Sequence, residues 1–80
     1  MDRLEEKAFK FLPIQDRLNL ILHKGDFCGK RRFLGNEVKL YQYKGEFIEV
    51  WSNIARGCVF QIEIQRNKQI LFEYVKDLKI

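Results

Sequence analysis

The order of apolar and polar positions changes character at Gly25. Before it the apolar residues recur with a helical period, and after it they alternate. Leu4, Ala8, Phe11 and Leu12 are spaced as a short helix that Pro13 must end or redirect. From Pro13 to Lys24, Ile14, Leu18, Ile21 and Leu22 form one stripe, with Asp16 in the first turn and His23-Lys24-Gly25 at the close, so this stretch is predicted as a helix with one buried face.

Beyond Gly25, turn residues fall at Gly35-Asn36, Lys44-Gly45, the stretch from Asn53 to Gly57, and Arg66-Asn67. They delimit strands at about 28–34, 37–43, 46–52 and 58–65, and connections this short permit only antiparallel neighbours. The last segment fits a helix through Leu71, Tyr74, Val75 and Leu78, capped by Asn67, or a fifth strand through Ile70, Phe72 and Tyr74. The helix is preferred. The expected fold is α+β: an N-terminal helix on a four-stranded antiparallel meander, with a C-terminal helix, in a single domain over residues 1–80.

In the strand over 58–65, Phe60, Ile62 and Ile64 alternate with Gln61, Glu63 and Gln65, so one face is core. A three-residue turn at Tyr43-Lys44-Gly45 would set Val38 opposite Val50 and Leu40 opposite Ile48, whereas a two-residue turn would set Leu40 opposite Glu49 and mix the faces. The first register is therefore expected. It gives an aliphatic face of Val38, Leu40, Ile48, Val50, Phe60, Ile62 and Ile64, and a second face carrying Tyr41, Tyr43, Phe47 and Trp51 among Lys39, Glu37, Glu49, Gln61 and Glu63. A turn at Gly35-Asn36 adds Lys30 and Arg32 to that second face. So many rings exceed the apolar patch that a monomer ordinarily exposes, and the C-terminal segment, a second copy or another molecule should cover them.

Eighty residues allow one core, and a domain this small buries only about 60–65% of its unfolded surface, which leaves little room for a substrate-enclosing pocket. Hydrophobic residues make up 46% and charged residues 32%, which excludes a disordered chain. Fifteen Lys and Arg against eleven Asp and Glu give +4, a bias toward anionic partners, yet the only basic run is Lys30-Arg31-Arg32. The charged first ten residues and the lack of an 18-residue apolar run lead to an expected cytoplasmic location and no membrane partner. Cys28 and Cys58 are then expected to be reduced and half-buried.

Candidate chemistry is sparse. His23 is accounted for by its place in the last turn of a helix, neither cysteine has a flanking base and orienting carboxylate, and Ser52 lacks a nucleophile-elbow context. Gly25-x-x-x-Gly29-Lys30 lacks the spacing and hydroxyl of a phosphate loop, and two thiols with one histidine fall short of zinc, so no cofactor and no enzyme activity are expected. The candidate binding residues are Lys30, Arg32, Tyr41, Tyr43, Phe47 and Trp51. They suit a protein-interaction or regulatory module, with homodimerisation included. The alternatives are a single-stranded nucleic-acid binder, with bases on rings and phosphates on cations, and a small metal-free ribonuclease of the toxin type working with Arg, Lys and Tyr.

The stretch Leu12-Pro13-Ile14-Gln15-Asp16-Arg17-Leu18, then Gly25-Asp26-Phe27, then Val38-Lys39-Leu40-Tyr41 and Phe47-Ile48-Glu49-Val50-Trp51, resembles short uncharacterised bacterial proteins, chiefly of the Bacteroidetes. The resemblance covers about half the chain and implies the helix-then-hairpin order; those proteins bring no assigned activity.

Overall fold

Pro13 divides the N-terminal region into two helices in the computed structural model, which describes residues 4–75. The first, α1 (Glu6–Phe11), ends because Leu12, preceding proline, is extended at φ −65° and ψ 139°. The second, α2 (Ile14–Lys24), carries Asp16 in its first turn and His23 and Lys24 in its last, each complementing the helix dipole. Ile14, Leu18 and Ile21 face the sheet as expected, but Leu22 is exposed and Leu20 packs in its place. Arg17 shares the buried side: its Nη1 donates to the Ile62 carbonyl at 2.7 Å, and its guanidinium lies 6.0 Å from the Phe9 ring centroid.

The sheet is the expected meander, β1 (Asp26–Phe33), β2 (Asn36–Tyr43), β3 (Glu46–Asn53) and β4 (Cys58–Ile64), in the order β1-β2-β3-β4. A short α3 (Lys68–Phe72) follows, and the Asn67 side chain accepts from the Gln69 and Ile70 amides, so the capped helix prevails over a fifth strand. Leu78, expected to extend its stripe, lies outside the described residues.

The register differs from the expectation. The first two hairpins close with two-residue turns, Leu34-Gly35 and Lys44-Gly45, and each turn has φ of 49° then 78°. That pair of positive angles is the type I′ geometry, whose twist matches the strands it joins. Leu40 therefore lies opposite Glu49 and Val38 opposite Trp51, while Phe33 lies opposite Asn36. A three-residue turn keeps Glu49 from lying opposite Leu40 on an apolar face; in the structure the cost of that pairing is removed by partners remote in sequence.

Both sheet faces are consequently covered. Phe9 of α1 and Ile21 of α2 pack on Tyr41, Ile48, Val50 and Ile62. On the reverse face Leu71 of α3 and Tyr74 just beyond it pack on Val38, Leu40, Phe47 and Trp51. Val38 and Leu40 thus leave the expected aliphatic face and Tyr41 joins it. Phe60 leaves it as well: pairing shifts between Trp51–Gln61 and Ser52–Val59, and the extra residue in this bulge is Phe60, which meets Trp51 edge-on at 6.4 Å. Cys28 and Cys58 are free and exposed rather than half-buried.

Candidate functional site

At the centre of the reverse face sits Glu49, a carboxylate with no solvent exposure. An isolated charge there would be prohibitive, but each oxygen is occupied. Arg31, opposite Val38 on β1, places Nη2 at 3.1 Å from Oε2. Gln65, one residue past β4, donates from Nε2 to Oε1 at 2.8 Å. The Tyr74 hydroxyl donates to Oε2. Burial first, and then this hydrogen bond, push the Tyr74 phenol well above its ordinary value. Arg31 is in turn held among rings, its guanidinium carbon 5.3 Å from the Trp51 centroid, 5.5 Å from Tyr74 and 5.7 Å from Phe33.

The helix and Tyr74 cover only part of this face. Toward the Leu34-Gly35 end, Phe33, Trp51 and Phe60 form a ladder across β1, β3 and β4, with edge-to-face contacts of 6.2 Å and 6.4 Å. Phe33 and Phe60 remain 48% and 47% exposed. The ladder ends in two abutting turns, since the Ile54 amide donates to the Gly35 carbonyl at 3.1 Å. Leu34 in the first turn is 84% exposed, and Ile54 in the second is also exposed. Phe33 and Phe60 each present on the order of 100 Å² of apolar surface, and with Leu34 and Ile54 the tip reaches on the order of 400 Å².

The residues singled out from sequence do not form one cluster. Lys30, Arg32, Tyr41 and Tyr43 lie on the face shared with α2, and Phe47 and Trp51 lie on the reverse face. Tyr41 is buried in the first core, where burial pushes its phenol up, and it meets Phe27 edge-on. Tyr43 lies under the Lys44 ammonium at 5.5 Å. Lys30 reaches Glu37 at 3.9 Å, and Arg32 is exposed. Phe47 lines an apolar hollow of about 310 Å³ under α3, together with Leu40, Leu71, Phe72 and Cys28. Sequence reasoning missed Arg31, Phe33, Leu34, Glu49 and Tyr74. One local signal was available for Leu34, because Leu-Gly stands where a type I′ turn favours Asn-Gly.

His23 hydrogen-bonds the Asn19 carbonyl at 2.7 Å on the exposed end of α2, and desolvation beside its neighbours pushes the Cys28 thiol above its ordinary value. Among the described residues no group of three or more His, Cys, Asp or Glu could hold a metal ion, and no helix is long and apolar enough to cross a membrane. Compared with known proteins, the chain matches no family model, no curated protein and no solved structure.

Proposed function

We propose that this chain is a protein-interaction module that inserts the apolar tip formed by Leu34, Ile54, Phe33 and Phe60 into an apolar cleft of a partner protein. The observation that carries the reading is Leu34. A bulky side chain at φ 49° strains the backbone by about 1–3 kcal/mol, and 84% exposure of a leucine adds no packing in return. Local rules broken together at one exposed position are the mark of a functional site. The tip is fixed rather than loose, because the Ile54–Gly35 hydrogen bond joins its two turns and the Trp51 ladder stands behind it. Its apolar area is about half of the ~800 Å² that each partner contributes to a standard interface, so a polar rim must supply the rest.

The nucleic-acid reading has less to rest on, because the rings that share a face with Lys30 and Arg32 are Tyr41, which is buried, and Tyr43, while Phe47 and Trp51 lie on the reverse face.

A photo-crosslinking amino acid at Ile54, with the same group at exposed Lys7 as control, tests the proposal in the host cell. A discrete adduct from Ile54, absent from Lys7 and lost on Leu34→Asn, is expected, whereas Lys44→Asn in the other hairpin should leave it intact. An adduct of twice the chain mass would identify a second copy as the partner. Equal labelling from Lys7, or an adduct indifferent to Leu34→Asn, removes the proposal.

A further inference from the structure

We infer that the outer edge of β1 is a second docking site, which takes an extended acidic segment of a partner protein as a fifth strand. β1 is one of the two edges of the sheet, and no described residue pairs with its outer side. An edge strand offers unpaired amides and carbonyls that another chain can complete. The two edges are not equivalent. β4 is interrupted by the Phe60 bulge, and its Ile62 carbonyl already accepts from Arg17. In β1 the bulge lies early, between Phe27 and Gly29, and from Gly29 to Phe33 five successive residues hold a regular register.

Charge then specifies the occupant. On the face shared with α2, Lys30 stands directly opposite Lys39 and Arg32 opposite Glu37. Like charges directly across a strand pair repel. Glu37 relieves only Lys30, at 3.9 Å, and neither Arg32 nor Lys39 makes an ion pair among the described residues. Three cations against one carboxylate leave a surplus that carboxylates on an added strand would meet. On the other face, β1 presents Gly29 beside Tyr74 and the half-exposed Phe33, surroundings that suit apolar side chains. Successive side chains of a strand point to opposite faces, so the segment that fits alternates acidic and apolar residues over five or six positions. Lysine on an edge also keeps copies apart, and the two roles agree: a basic edge repels another basic edge and accepts an acidic strand. This site is independent of the tip, with which it shares only Phe33.

The probe is a blocked peptide of alternating Glu and Val, titrated into the isotope-labelled full chain. Expected are amide shifts and slowed hydrogen exchange confined to 29–33, with affinity that falls as salt is raised. Lys30→Glu combined with Arg32→Glu should weaken binding by about tenfold or more, and a Lys-Val peptide should then bind the reversed variant, which also verifies that the variant is folded. Leu34→Asn should leave the affinity unchanged, which separates this site from the tip. Four results would overturn the inference: shifts elsewhere in the chain, equal binding of a peptide with its Glu and Val in separate blocks, tighter binding of an oligothymidylate of the same charge, or concentration-dependent self-association that occupies β1.

Discussion

The Tyr74 hydroxyl donates to the buried Glu49 carboxylate across 25 residues of chain, and this bond fastens the C-terminal helix to the sheet. Arg31 completes the arrangement from the other side, salt-bridged to the same oxygen and covered by the Tyr74 ring. Residues from β1, from β3 and from beyond α3 therefore meet at one carboxylate.

Removing different members of this cluster should cost different amounts. Tyr74→Phe keeps the ring over Arg31 and deletes only the donor, for a loss of about 1–3 kcal/mol. Glu49→Ala leaves Arg31 among rings without a counter-charge and should cost more, about 3–5 kcal/mol. Urea unfolding monitored at Trp51 gives both values. A Tyr74→Phe variant less stable than Glu49→Ala would contradict this ordering.

The raised Tyr74 phenol fixes the direction of a pH effect. The folded state holds the proton more tightly than the unfolded chain, so the stabilisation is complete below the unfolded value near pH 10 and is lost as pH rises from there toward the folded value. Stability of the wild type should fall steeply above about pH 10. Tyr41, also raised by burial, contributes in the same direction, so Tyr74→Phe should flatten the decline without abolishing it. Urea midpoints between about pH 9 and 11 test this, and an unchanged slope in Tyr74→Phe would refute the assignment.

The same cluster explains which parts of the fold were legible in the sequence. Strand positions were legible because turn residues punctuate them, and α2 because its stripe is local. The faces were not. Within β3, Glu49 looks like a solvent-facing residue, and its burial is made tolerable by Arg31, 18 residues before it, Gln65, 16 after, and Tyr74, 25 after. Glu49 does share a face with Phe47 and Trp51 as expected, but reading it as exposed gives the hairpin turn an extra residue, which puts Val38, Leu40 and Tyr41 on the wrong faces. Phe60 was misplaced for a different reason, since no residue in β4 announces a bulge. Of the candidate site, Trp51 and Phe47 were found because aromatic surplus is a compositional signal, whereas Leu34 was passed over because an exposed leucine beside glycine has no periodicity.

The two type I′ turns provide an internal comparison. Leu34→Asn and Lys44→Asn each place a residue tolerant of positive φ at the first central position, and each should raise stability by about 0.5–1 kcal/mol. Only the first should weaken partner docking. Thermal unfolding measures the gains, and a loss of stability in Leu34→Asn would mean that the leucine packs in the free protein and is not a strained, exposed residue.

Two glycines that flank the start of β1 should respond oppositely to alanine. Gly25 follows α2 in extended conformation, φ −82° and ψ 155°, which any residue adopts, so its requirement is spatial. A Cβ there would stand 2.7 Å from the Ile21 carbonyl oxygen and 3.2 Å from Ile21 Cγ2, a clash with backbone that cannot swing aside. At Gly29 the nearest atom would be Tyr74 Cδ1 at 3.7 Å, an ordinary contact. Gly→Ala at an unstrained site stabilises by about 0.4–1 kcal/mol through the unfolded chain, and Gly29→Ala should show that gain. Gly25→Ala should lose about 1–3 kcal/mol instead, because the helix end must shift against a close-packed core around Ile21. Urea midpoints of the two variants, measured side by side, decide it. Equal shifts at both positions would mean that the turn from α2 into β1 is looser than the Ile21 contact requires.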